Sequence, residues 1–251
     1  QVGTLYSITV QNVFDCNGNR IQAEFATANF ALPEPAVQSD LIINEILFNP
    51  HPTGVDFVEV YNNSDKYITL KDWSLANYVN DEILNAKLIS AEDILIAPRE
   101  YLVFTENKTI IKSEYTQAQE DRIFVVADLP SFNDDEGTVA LLNQDNAVLD
   151  FFSYTDDYHA VFLKDDEGVS LERISSTALT NDAANWQSAS ATVGFASPGY
   201  LNSNARGEIL ANKVSVDPEI FDPVVGQPSF TQIHYNFDAG GYVANVKILD
   251  A

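Results

Sequence analysis

Residues 41–75, LIINEILFNPHPTGVDFVEVYNNSDKYITLKDWSL, limit what this 251-residue chain can fold into more than any other stretch. Two apolar runs, Leu41–Phe48 and Val55–Tyr61, are separated by a Pro/His/Pro/Thr/Gly breaker. A polar turn, Asn62–Lys66, then leads to a third run ending in Trp73 and Leu75. Within the second run Val58 and Val60 share one face of an extended chain, while Phe57, Glu59 and Tyr61 share the other. Side chains alternate along a strand and recur every 3.6 residues around a helix. A period of two in β-branched and aromatic residues, bounded by turn formers, therefore predicts strands.

The pattern continues downstream. Strand-like runs follow at Trp73–Val79, Ile83–Ile89, Ile94–Ile96, Tyr101–Phe104, Ile123–Ala127, Thr138–Leu142, Ala147–Tyr154 and Val169–Ile174. The best hairpin joins Thr138–Leu142 to Ala147–Phe152 through Asn143-Gln-Asp-Asn146. No amphipathic helix stands out, and polar Ser113–Arg122 reads as a short surface helix. Many short strands punctuated by Gly, Pro, Asn and Asp predict two packed sheets that hide their apolar faces between them. Trp73 and Trp186, in apolar surroundings, are expected to plug that core.

The same residues resemble the lamin-tail domain in its bacterial form. That family opens with an apolar strand and Asn-Pro, here Ile42–Ile46 and Asn49–Pro50. It continues with Asp-Phe-x-Glu-x-x-Asn, here Asp56, Phe57, Glu59 and Asn62, and then with Trp73 and Leu75. Gly168–Ile174, Asn185-Trp186 and Ser197–Asn202 are similar to its closing segments. The resemblance implies an all-β, immunoglobulin-like β-sandwich over residues 41–203, used as a binding or structural module. Residues 1–32 resemble the last hairpin of a bacterial Ig-like domain: Leu5–Val10 alternates, Asp15–Asn19 is a turn, and Ile21–Phe30 is extended. Residues 33–40, with two prolines, read as a semi-rigid linker. Residues 204–251 resemble the opening of a flagellar-hook-cap-type Ig-like domain, with strands at Ile220–Pro223, Phe230–Phe237 and Gly241–Ala251. Both ends are thus expected to be part-domains of a longer polypeptide that pack on each other or on the centre. Their open strand edges would be able to pair between chains.

Charge narrows the partners. Against 13 Lys and Arg stand 37 Asp and Glu, a formal net charge of −24. Phosphate backbones and anionic lipid surfaces repel such a chain, so no nucleic-acid partner is expected, although eukaryotic lamin tails have been linked to DNA. No apolar run reaches the length that spans a bilayer, so no direct membrane insertion is expected. One cysteine, Cys16, excludes an intrachain disulfide. No signal peptide opens the chain, but residue 1 reads as lying inside a domain. A secreted or cell-surface location is expected from the resemblance and the acidic character.

Catalytic signatures are not found. His51, His159 and His234 are scattered, with no HExxH, GxSxG, Walker or GxGxxG pattern, and Cys16 sits in a turn with no motif tying it to a histidine. His159 reads as a structural hydrogen-bonding residue. Asn133–Gly137, Lys164–Gly168 and Asp156-Asp157 are acidic turns without the DxDxDG alternation of a calcium loop. They read as solvated turns, with calcium the only cofactor considered and glycine supplying a positive φ. Glu45, Asp56 and Glu59 lie on neighbouring strands and would bracket a site; pairing with Arg173 or capping of turns is the expected role. Asn62-Asn-Ser64 and Asn107-Lys-Thr109 match glycosylation sequons.

No catalytic, cofactor-binding or metal-binding residue is therefore assigned. The expected function is a non-catalytic module giving spacing, adhesion or display, with neighbouring domains of the same polypeptide and an unidentified protein or glycan as partners. The alternative is an accessory targeting domain of a secreted hydrolase, such as a nuclease or phosphatase. A hydrolase signature in the flanking reading frame would favour that alternative.

Overall fold

A computed structural model of the chain describes residues 1–161, 163–205, 213–217, 224 and 230–236. The first strands are β1 (Leu5–Thr9), β2 (Thr27–Ala31), β3 (Leu41–Leu47), β4 (Phe57–Asn62), β5 (Ile68–Thr69) and β6 (Ser74–Val79). Then come β7 (Glu82–Leu88), β8 (Leu95–Ile96), β9 (Tyr101–Thr105), helix α1 (Lys108–Glu114) and β10 (Ile123–Val125). The remaining strands are β11 (Glu136–Leu142), β12 (Val148–Thr155), β13 (Leu171–Arg173), β14 (Trp186–Ser188), β15 (Lys213–Asp217) and β16 (Gln232–Asn236).

Two sheets make the sandwich. One has the order β10-β9-β4-β3-β13-β14, the other β12-β11-β6-β7. Between them lies a core of Leu41, Ile43, Ile46, Val58, Val60, Leu102 and Phe104 from the first sheet. Leu75, Val139, Leu141, Phe152 and Tyr154 face them from the second. Trp73 and Trp186 plug this core at 2% and 4% exposure, and Trp186 stacks on Phe152 at 3.7 Å between ring centroids. The expected all-β, immunoglobulin-like sandwich is the observed architecture.

The hairpin β11–β12 forms where the sequence places it. Asn143 Oδ1 accepts from the Asp145 and Ala147 amides, and Asn146 takes a left-handed φ of 59°. The expected helix at Ser113–Arg122 instead starts upstream, at Lys108, because Asn107 caps it by accepting from the Thr109 and Ile110 amides. Only a 3-10 turn, Glu120–Arg122, falls in the later part of the expected segment. Residues 33–40 are tied to the sandwich: the Glu34 amide donates to Tyr67 O at 2.7 Å, Lys66 pairs with Asp40 at 2.7 Å, and Ala36 packs on the core.

The first hairpin pairs Leu5–Thr9 with Thr27–Ala31. Its second strand begins later than expected, because a 3-10 turn occupies Ala23–Phe25. Ile8 and Phe30 remain 54% and 44% exposed, so no second layer covers that face among the described residues. Strand Gln232–Asn236 falls within the expected Phe230–Phe237 run and pairs with Lys213–Asp217, which the sequence reading did not single out. The expected strands at Ile220–Pro223 and Gly241–Ala251 lie outside the described residues.

Candidate functional site

The chemistry of the sandwich is concentrated on the outer face of the six-stranded sheet, and a β-bulge puts it there. Ile43 stands opposite Val60 and Glu45 opposite Glu59, so Asn44 is an extra residue in β3. Simple alternation would give Leu41, Ile43 and Glu45 one common face. The inserted residue instead turns Glu45 and Leu47 outward beside Glu59 and Phe57, while Ile46 returns to the core. On the next strand Glu172 stands opposite Glu45. Glu172, Glu45 and Glu59 therefore form one row across β13, β3 and β4, and each is 0% exposed.

Two structures cover the row. On one side Ile111, Tyr115, Ala118, Ile123 and Ala196 pack on Leu47, Phe57 and Val103, making a second small core. Over the top runs the segment Ser197–Asn204, which supplies most of the donors to the carboxyl groups. The Ser197 amide reaches Glu45 Oε1 at 2.8 Å, where Ser170 Oγ also donates at 2.5 Å. The Gly199 amide reaches Glu59 Oε2 at 2.6 Å, and Asn44 Nδ2 reaches Glu59 Oε1 at 2.7 Å. Glu172 takes Ser197 Oγ, the Ser203 amide and hydroxyl, and the Asn204 amide and side chain, at 2.7–3.0 Å. Asn202 completes the closure by donating to Asn44 O and Arg173 O and accepting from Asn44 Nδ2. Gly199, at a φ of 88°, has no room for a side chain: a Cβ there would lie 2.8 Å from Gln119 Cβ.

No cation among the described residues pairs with Glu45 or Glu59, and burial shifts both. Desolvation, then the charge of Glu172, pushes Glu45 up to about 8. Desolvation, then the charge of Glu45, holds Glu59 well above the usual carboxylate range. The expected pairing with Arg173 is not made. Glu172 and Arg173 are sequence neighbours on a strand and so point to opposite faces. Arg173 lies inside, 5.3 Å above the Trp186 ring, and pairs with Asp150 at 3.4 Å.

The other singled-out residues lie elsewhere. Asp56 does not join the row; it lines an open cleft of about 520 Å³ with Glu106, Lys87 and Asp128 at the end of the sandwich. Burial, then the charges of Asp134 and Glu106, raises Asp56 to about 7. His159 Nδ1 meets Ser188 Oγ at 3.0 Å, while Nε2 has no partner among the described residues, and burial lowers its pKa. His51 packs beneath Gly168, where a Cβ would lie 2.4 Å from its Nε2. Gly168 has the expected positive φ, at 72°, but Gly137 does not: it sits within β11. Its hydrogen is needed instead because a Cβ would lie 2.3 Å from the Tyr154 hydroxyl oxygen. Cys16 is a free, exposed thiol. Among the described residues no three His, Cys, Asp or Glu side chains are grouped to hold a metal ion. Both sequon asparagines have structural work: Asn62 is fully buried and donates to Lys66 O and Ala97 O, and Asn107 caps α1.

The sequence reading missed Glu172, Asn44, Ser197 and Asn202 as parts of one arrangement, although each lies in a motif segment it quoted. The signal was an acid at the middle of β3, β4 and β13 alike. The bulge at Asn44 hid their common face.

An immunoglobulin-like β-sandwich whose buried polar residues fasten its closing segment is thus the class this geometry defines. Residues 34–156 match the model of the Lamin Tail Domain family, which supports a lamin-tail domain over that segment. The sandwich itself runs further, because β13 and β14 complete the same sheet and Ser197–Asn204 seals its face. No curated protein matches the chain.

Proposed function

We propose that this chain is a non-catalytic structural or binding module of a secreted or cell-surface multidomain bacterial protein, serving spacing, adhesion or display. Immunoglobulin-like lamin-tail domains are in general non-catalytic binding or structural modules. The observation that carries the reading is what the buried acids do. The oxygens of Glu45, Glu59 and Glu172 accept from the chain's own serines, asparagines and amides, beneath a covering segment. General acid–base catalysis needs a carboxyl within reach of a substrate proton, and these are spent on closure. The net charge of −24 supports a role away from nucleic acids and anionic lipid.

The test joins the chain to a secreted fluorescent reporter and measures its retention on intact bacterial cells. The purified chain is assayed in parallel on bis(p-nitrophenyl) phosphate and p-nitrophenyl phosphate. Surface retention without turnover is expected. Turnover that coelutes with the chain through repeated purification overturns the non-catalytic reading, and a fusion that stays in the medium overturns adhesion.

A further inference from the structure

The row of glutamates shares one hydrogen too few. Ser197 Oγ lies 2.7 Å from Glu172 Oε1 and 3.1 Å from Glu45 Oε2. A hydroxyl owns a single hydrogen and can donate it to only one of them. With Glu172 as acceptor, the second contact is a hydrogen bond only when Glu45 Oε2 is protonated and donates to Ser197 Oγ. If both acids were ionised, two charges would face one hydroxyl at a fully buried site, where repulsion is strong. We propose that the row is a proton-held latch: a proton on Glu45 keeps Ser197–Asn204 docked, and its loss in mildly alkaline water frees that segment while the two sheets stay packed.

Among the described residues nothing nearby replaces that proton. Tyr101 faces the row from β9, Tyr115 from the turn after α1 with Glu114 beside it, and Tyr200 from the covering segment. Burial, with negative neighbours, raises all three phenols, so none of these groups offers a positive charge. Arg122 passes beneath Gly199 but pairs with Glu100 at 3.0 Å. Arg173 is on the other face, and no ion pair among the described residues reaches Glu45, Glu59 or Glu172. The sheets have an independent reason to persist: their core lies on the opposite side of β3, β4 and β13. The segment that would let go leads to β15 and β16, so the latch would set how firmly the sandwich holds the chain that follows it.

Amide hydrogen exchange of the full chain tests this at about pH 6 and about pH 9, corrected for intrinsic rates. Protection across 197–204 should fall roughly tenfold or more, the scale of one pKa step, while β4 and β11 keep theirs. Glu45→Gln, whose amide can donate to Ser197 Oγ at either pH, should keep the segment protected throughout. Equal protection in the wild type at both pH values overturns the latch, and so does a Gln variant that loses protection as the wild type does. The wild-type glutamate carboxyl carbon shifts give a readout that needs no variant. At about pH 6, Glu45 should read as protonated; an ionised Glu45 at that pH would refute the proposal.

Discussion

Asp150 holds Arg173 across the seam of the sandwich. The carboxylate lies on β12 at the edge of one sheet and the guanidinium on β13 of the other, 3.4 Å apart. Asp150 also accepts from the Ile43 amide at 2.9 Å and from Thr180 Oγ1 at 2.6 Å. The guanidinium donates to Ile43 O at 2.8 Å, to Ala178 O at 3.1 Å and to Thr180 Oγ1. Asp150→Ala leaves a cation with 1% side-chain exposure without its counterion. The expected loss is about 3–5 kcal/mol in urea denaturation, the usual cost of breaking one half of a buried pair. A loss below about 1 kcal/mol would mean that the backbone carbonyls alone hold Arg173.

Two glycines separate crowding from backbone strain. Gly194 has a φ of 79°, and a Cβ added there would meet nothing within 4 Å, so Gly194→Ala carries only the left-handed penalty, about 1–2 kcal/mol. Gly137 lies in β11, and its Cβ would displace the Tyr154 hydroxyl, which accepts from the Asn133 amide at 3.0 Å and donates to Asn133 O at 3.2 Å. Gly137→Ala should therefore cost more, roughly 2–4 kcal/mol, by combining overpacking with lost buried hydrogen bonds. The order of the two thermal midpoints is the measurement that decides it.

Strand alternation marks where the sequence could be read and where it could not. Val58 and Val60 against Phe57, Glu59 and Tyr61 alternate in the chain as they do in space, and the strands that obey that rule were legible. Asn44 breaks it. One inserted residue reverses the facing of Glu45 and Leu47, and nothing in a run such as Leu41–Phe48 marks which residue is extra. Glu172 was hidden for a related reason, since its partners arrive from Ser197–Asn204 and from β3, far away in the chain. Arg173 was the expected partner of Glu45, Asp56 and Glu59, but its position in β13 sends it to the other face.

Asn107 shows a cap overriding composition. Its side chain fixes the start of α1 five residues before the polar stretch that looked helical. Asn107→Ala should cost about 1 kcal/mol, while Asn107→Asp should cost far less because an aspartate accepts the same two amides. Thermal melts of the two variants provide the check. Equal losses would indicate that Ile111, fully buried in the second small core, sets the helix without help from its cap.

Asp56 gives the protein a pH dependence unrelated to the covering segment. Its carboxyl is raised from 3.8 to about 7 by burial and by Asp134 and Glu106. The folded chain therefore binds a proton there more tightly than the unfolded chain. The resulting stability is fully present below about pH 3.8 and is lost as pH rises through about 7. Asp56→Asn removes the ionisation but keeps the shape. Its urea midpoint should match the wild type at about pH 4 and exceed it at about pH 8.5. Glu45, raised to about 8, should leave the variant a further decline at higher pH. A wild-type midpoint no lower at the alkaline end than that of Asp56→Asn would show that this carboxyl is ionised without cost in the folded protein, with water entering the cleft beside Lys87 and Asp128 to solvate it.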